Sequence, residues 1–131
     1  MPTATRQPSD FCYFDAPLDL IIVMDASDDI KILDFRIMKE ILKNFIADHF
    51  VLGPKRVRVG LLKYGDRVEV PITLGDYDNV PQLMARISDT RRMKGTAKLG
   101  HALRDTAGEF IFSEPAEASR AIIVITNGKS R

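Results

Sequence analysis

Asp25, Ser27 and Asp29 alternate through the stretch LIIVMDASDDIK (Leu20 to Lys31), with Asp28 between the last two. Carboxylates crowded this closely repel one another and lose hydration, so either a cation offsets the charge or the loop stays in solvent. Two later stretches add oxygen donors: Gly95-Thr96 after a basic loop, and Thr126-Asn127-Gly128 after an apolar run. Carboxylate, hydroxyl and carboxamide oxygens are hard donors, which suit Mg²⁺ in octahedral geometry with waters completing the shell. The plainer alternative is a solvated loop whose Asp and Ser cap the following helix.

Other chemistries fit less well. Receiver domains and haloacid dehalogenase-like phosphatases also begin with a strand ending in aspartate. The latter need a second aspartate two positions on, where this chain has Ser27. A receiver needs a later nucleophilic aspartate at a strand end, and the remaining candidate, Asp66, falls in a Gly-Asp turn. Gly128-Lys129-Ser130 lacks the earlier glycine of a phosphate-binding loop, Ile123 standing in its place. His49 and His101 lie in helical segments and Cys12 in the N-terminal arm, so nucleophilic catalysis has no visible acid-base pair.

The elements that must position these groups follow from hydrophobic periodicity. Asp19 to Met24 is a continuous apolar, β-branched run, as in a strand covered on both faces. From Ile30 to about Phe50 the period is helical, placing Phe35, Met38, Ile41, Leu42, Phe45, Ile46 and His49 on one face. Leu52-Gly53-Pro54 ends it. Val57 to Tyr64 is a second strand, and the Gly65-Asp66 turn joins it to an antiparallel partner around Val68 to Leu74, which Pro71 marks as an edge. Asp76 or Asp78 can cap a short helix bearing Val80, Leu83, Met84 and Ile87. Thr96 can open a third helix, with Leu99, Leu103, Ala107, Phe110 and Ile111 inward, and Ala121 to Thr126 is the last strand. The order β-α-β-β-α-α-β predicts an α/β fold: a doubly wound, mostly parallel sheet with one antiparallel edge strand. In such sheets ligands collect beyond the carboxyl ends of the strands, where all three donor stretches fall.

Composition narrows the class. The chain has 131 residues and a formal net charge of +1, so nothing in its charge calls for nucleic acid or an anionic membrane. No apolar run approaches the roughly 20 residues that span a bilayer. Lys55-Arg56-x-Arg58 and Arg91-Arg92-x-Lys94 read as solvated basic surface. The first ten residues, MPTATRQPSD, lack the apolar region of a secretory signal, and residues 1–16 read as an arm or linker ahead of a domain over 17–131.

Taken in order, Asp25-x-Ser27-x-Asp29, Gly95-Thr96 and Thr126-Asn127-Gly128-Lys129-Ser130 resemble the von Willebrand factor A domain family. The stretches VLGPKRVRVGLLKYGDRVEV, DYDNVPQLMARI and EASRAIIVITNGKS share the resemblance, which runs from about Asp19 to the end of the chain. DFCYFDAPLDL and EASRAIIV are similar to the A domains of von Willebrand factor itself; the Gly-Pro-Lys-Arg-Val-x-Val-Gly stretch is equally similar to those of matrix collagens. The resemblance implies a non-enzymatic, secreted binding module whose partner is an extracellular protein, either a matrix protein such as collagen or a cell-surface receptor. It also implies a metal-ion-dependent adhesion site for Mg²⁺ or Mn²⁺, held by Asp25, Ser27, Asp29, Thr96 and Asn127, with one coordination position left for an acidic group of the partner.

Two of these five positions depart from the family pattern. Asp29 stands where the family has a second serine, and Asn127 where it has aspartate. The set keeps two carboxylates, but an anionic ligand at Asp29 would neutralise the ion and weaken its pull on a partner's carboxylate. An A domain that has lost its metal is the other reading. It would dock its partner through helix faces and through Asp28, Arg91, Arg92 and Lys94. The family sheet has about six strands in a domain approaching about 200 residues. This chain is therefore expected to stop after its fourth strand, in the order 3-2-1-4, with that strand an exposed edge and the isolated chain poorly soluble. The family's terminal disulfide would pair Cys12 with a cysteine outside this chain.

Overall fold

The computed structural model describes residues 16–111 and 118–126, with the side chains of 109–111 excepted. Cys12, Asn127 and most of the arm at 1–16 lie outside the described residues, as do the side chains of Phe110 and Ile111. The elements are β1 (Leu18–Asp25), α1 (Ile32–His49), β2 (Val57–Tyr64), β3 (Val68–Ile72), α2 (Val80–Ser88), α3 (Leu99–Ile111) and β4 (Ser119–Ile125). No helix among the described residues is long and apolar enough to cross a membrane.

The sheet runs β3-β2-β1-β4. β1 is central and pairs in parallel with β2 and with β4, while β2 and β3 are antiparallel, with an irregularity between Leu61 and Lys63. The β-α-β-β-α-α-β order, the antiparallel edge strand holding Pro71 and the 3-2-1-4 strand order all appear as expected. All eight residues of β1 are buried, as a run apolar on both faces requires. One face of the sheet presents Leu20, Ile22 and Met24 to Phe35, Leu42 and Ile46 of α1 and to Leu83 and Ile87 of α2. The other turns Ile21, Val23, Leu62 and Tyr64 toward Ala97 and Ala102, beside α3.

Several local expectations are corrected. In α1 the buried set is Phe35, Leu42 and Ile46, whereas Ile41 is 62% and Phe45 38% exposed. The apolar stripe is wider than the contact the sheet makes with it. His49 is partly buried and rests on the Phe45 ring at 5.2 Å. In α3 the buried residues are Ala102 and Thr106, while Leu103 is 39% exposed and Ala107 is exposed. Small side chains let this helix approach the sheet, and the Thr106 hydroxyl satisfies itself on the Ala102 carbonyl at 2.8 Å. The N-cap of α2 is Asn79, which accepts from Gln82 N–H at 3.0 Å; Asp76 instead accepts from Thr73 N–H at 2.8 Å and closes the preceding turn.

Arg58 is the largest correction. It is not solvated surface: its guanidinium forks onto Asp19 near the start of the buried β1, with both bonds at 2.8 Å. The register explains why, since Asp19 lies opposite Arg58 on β2 and Arg120 on β4. A carboxylate inside a strand buried on both faces is tolerated because cross-strand guanidinium charge neutralises it there.

Candidate metal centre

The site grows from the carboxyl end of β1. Ala26 N–H donates to the Tyr64 carbonyl at 2.9 Å, and Met93 N–H donates to the Ala26 carbonyl at 2.6 Å. One residue after Asp25, the chain is thus fastened both to the end of β2 and to the loop ahead of α3. Asp25 is fully buried. Its Oδ1 accepts from Ser27 N–H at 3.0 Å and its Oδ2 from the Thr126 hydroxyl at 3.0 Å. Among the described residues no cationic side chain pairs with it. Ser27 is also buried, and its hydroxyl accepts from Asp29 N–H at 3.3 Å. Asp29 is partly buried and its Oδ2 is shielded from solvent. The N-cap position of α1 falls on Lys31, which supplies no side-chain cap. The capping role the sequence offered for Asp and Ser is therefore unfilled at that position, because the loop runs past both before the helix starts.

Thr96 comes from the opposite side. It does not open α3, which begins three residues later at Leu99; it is exposed in the preceding loop. That loop is tied to the β1 end by a reciprocal pair: Asp28 N–H donates to the Gly95 carbonyl at 3.0 Å, and Gly95 N–H donates to Asp28 Oδ2 at 2.9 Å. Lys98 N–H donates to the Gly65 carbonyl at 3.1 Å, closing the loop onto β2. The residues flanking Asp29 and Thr96 are therefore in direct contact. At the third corner Thr126, the residue before Asn127, bonds Asp25. The loops bearing Asp25, Ser27, Asp29 and Thr96 converge at one end of the sheet.

Sequence reasoning missed Tyr64, the last residue of β2. Its register partner is Asp25. The phenol is fully buried beside Thr126 and Asp25, and its approach to Thr126 falls short of good hydrogen-bond geometry. Burial pushes the phenol up from its usual value near 10.0, the Thr126 hydroxyl pulls part of that back, and the negative Asp25 adds to the rise. Aligning the two strand ends in sequence would have found it, because in a parallel pair the last residues of the two strands, Asp25 and Tyr64, fall side by side.

The proposed partner contacts divide. Arg92 is partly buried and donates to the Ile30 carbonyl at 2.5 Å, and the Asp28 carboxylate is engaged by Gly95, so both brace the site. Arg91 and Lys94 have exposed side chains. Lys94 borders a cleft of about 410 Å³ that Lys63, Asp66, Arg67 and Glu69 also line. Within that cleft, Arg67 bonds the Glu69 carboxylate at 2.9 and 3.1 Å and holds it below the usual carboxyl range.

Among the described residues no three His, Cys, Asp or Glu side chains cluster as a metal site, so an ion here would draw on other oxygens, hydroxyls among them. Asp25, Ser27, Asp29 and Thr96 supply that mixture. It is a hard-oxygen set with two carboxylates, one of them buried without a side-chain cation, and it fits a small divalent ion.

The family model for the von Willebrand factor type A domain matches residues 19–131. The chain belongs to the von Willebrand factor type A domain family. It is 32% identical over 117 residues to human collagen alpha-1(XXI) chain, covering 88% of this chain and 12% of that protein. It is 32% identical over 131 residues to mouse collagen alpha-4(VI) chain, covering 99% of this chain and 6% of that one. The chain thus spans a small part of these matrix collagens. Among solved structures it is similar to proximal thread matrix protein 1 of the mussel byssus, described with a zinc-occupied MIDAS motif. There the TM-score is 0.79 at 20% identity over 92% of this chain and 31% of that one. BatB from Bacteroides thetaiotaomicron superposes with a TM-score of 0.66 at 18% identity, over 86% of this chain and 55% of that one. At these identities the structural likeness is one of fold.

Proposed function

We propose that this A domain is a non-enzymatic extracellular binding module that holds Mg²⁺ or Mn²⁺ at the carboxyl end of its sheet and engages a matrix protein there. Asp25 and Asp29 would supply the anionic oxygens, Ser27 and Thr96 the neutral ones, and Asn127 a water-mediated contact. A divalent ion held by these residues would supply Lewis-acid attraction for oxygen ligands. The chain's own residues fix the rest: Asp25 is aimed by Ser27 N–H and Thr126, and Thr96 is brought in by the Gly95 contact. The observation that carries this reading is the fully buried Asp25 carboxylate, held among the described residues by neutral donors, in a loop with two further aspartates. The homologous matrix collagens support the extracellular setting and an extracellular protein partner.

The test is a Mn²⁺ and Mg²⁺ titration by calorimetry, followed by binding to immobilised fibrillar collagen with the divalent ion and with EDTA. Saturable binding of the ion, lost in Asp25→Asn, and collagen binding abolished by EDTA are expected. Ion-independent collagen binding that Asp25→Asn leaves intact would overturn the reading.

A second reading rests on the exposed Arg91 and Lys94 beside the site. Asp29 brings the set to two negative charges, which cancel a divalent ion and leave little pull on a partner's carboxylate. The attraction for an acidic partner would then come from these two cations. That docking weakens steeply with salt and ignores EDTA.

A further inference from the structure

We propose that Asp28 is a positioning residue for the metal loops: its carboxylate latches the Gly95 amide and thereby sets Thr96 against the Ser27–Asp29 turn. The inference rests on the metal-binding reading above. The sequence marks Asp28 only as an extra negative charge facing a partner, yet its side chain is already committed. Gly95 N–H donates to Asp28 Oδ2 at 2.9 Å while Asp28 N–H donates to the Gly95 carbonyl at 3.0 Å, so one residue grips both polar groups of another. To offer both groups to Asp28, Gly95 adopts a φ of +92°, a conformation open to glycine and costly for other residues.

The far side of Gly95 is closed as well. A Cβ there would lie within 2.6 Å of the Cβ, Cγ and Oδ2 atoms of Asp66. Gly65 has the same constraint, since its Cβ would meet the Lys94 carbonyl at 2.6 Å. The 94–95 peptide is therefore wedged between the β2–β3 turn and Asp28, and Thr96 follows directly. Met93 and Lys98 are fixed by main-chain bonds to Ala26 and Gly65. Between those two anchors, the side-chain bond that reaches the loop from the Asp25–Asp29 turn is Asp28 to Gly95.

The latch thus holds the loop that carries a neutral candidate ligand, Thr96, in place for a cation. Asp28 acts through Gly95 and needs only an acceptor oxygen for it; its charge is incidental to the positioning.

The deciding experiment compares Asp28→Ala with Asp28→Asn in the same chain, reading Mn²⁺ affinity by electron paramagnetic resonance and Gly95 amide exchange by NMR without metal. Asp28→Ala removes the acceptor and is expected to weaken Mn²⁺ binding by about tenfold to a hundredfold, the range for residues that orient metal ligands. It should also make the Gly95 amide exchange freely. Asp28→Asn keeps an acceptor oxygen, so it should preserve Gly95 protection and stay within about threefold of the parent affinity, given that a hydrogen bond is retained. If Asp28→Ala binds Mn²⁺ as the parent does, or if Asp28→Asn fails as badly as Asp28→Ala, the positioning role is wrong while the metal site stands. If the parent chain itself shows no saturable Mn²⁺ binding, the metal reading and the positioning role fall together.

Discussion

Removing the Asp19 carboxylate should cost substantial stability without touching the metal loops, because Asp19 is far from them. Asp19 has 1% of its side chain exposed, Arg58 has 15%, and two 2.8 Å bonds join them. Truncating one member of a buried pair leaves the other's charge desolvated and unmatched, at a cost of about 3–5 kcal/mol. The small exposure of Arg58 lets water reach part of its guanidinium, so Asp19→Ala belongs near the lower end, about 3 kcal/mol. For a domain of this size, with roughly 3–5 °C per kcal/mol, the melting temperature should fall by about 10–15 °C. The paired change Asp19→Leu with Arg58→Met removes both charges and should recover much of the loss, since apolar replacement of a buried pair is often neutral or better. Asp19 stands six positions before Asp25 on the same strand, roughly 20 Å away at about 3.3 Å per residue. Mn²⁺ affinity measured well below the melting temperature should therefore be unchanged in Asp19→Ala. Thermal and urea unfolding followed by circular dichroism supply the stability figures. A loss under about 1 kcal/mol for Asp19→Ala, the size of a surface pair, would refute the argument that this ion pair is buried and structural.

Alkaline pH supplies a second check. The folded-state pKa of Tyr64 is raised by burial, so above pH 10.0 the unfolded chain loses the phenol proton first and stability falls as pH rises toward the folded-state value. Urea midpoints between pH 9 and 11 should decline less in Tyr64→Phe than in the parent; equal declines would show that the phenol is not the group responsible. The narrowed face of α1 supplies a third. Leu42 is 2% exposed, so Leu42→Ala should cost about 2–5 kcal/mol. The adjacent Ile41→Ser should stay within about 0.5 kcal/mol. Comparable losses at the two positions, in urea unfolding, would mean that α1 is rotated relative to this structure.

Much of the fold could be read from the chain because the strong signals are local. Five consecutive apolar residues ending at Asp25 mark a buried central strand, and Pro71 after a Gly-Asp turn marks an antiparallel edge. Periodicity was a weaker guide to which side of a helix is buried. It picks out every apolar position on a face, but burial depends on how closely the helix approaches the sheet. In α3 that approach is made by Ala102 and Thr106, which no hydrophobicity pattern selects over Leu103. The role of Arg58 is hidden in the sequence for another reason: it depends on register, and nothing within its own segment shows that Asp19 will lie opposite it. The α2 cap falls in the same class. Asp76, Asp78 and Asn79 are all competent caps, and the choice of Asn79 follows from Asp76 being used in the turn after β3.

At the site itself, the donors differ in how much of the fold depends on them, which bears on how the metal reading should be tested. Under the metal reading Asp25 would have two duties: besides offering oxygen to an ion, it ties the end of β1 to Thr126 just past β4 and shapes the turn through Ser27 N–H. Truncating it orphans two donors, so lost metal binding in an alanine variant would be confounded with a loosened strand end. An amide at position 25 keeps an acceptor and is the sounder probe. Thr96 is different. It is exposed, and the main-chain and Asp28 bonds that hold its loop involve its neighbours rather than its own hydroxyl. Its side chain can therefore change without undoing the convergence of the loops. The fold fixes where these loops meet; under the metal reading Asp29 would set how much charge meets with them. A scaffold built this way can keep its architecture while its affinity for a cation is retuned, and that separation makes the altered positions informative about function rather than about folding.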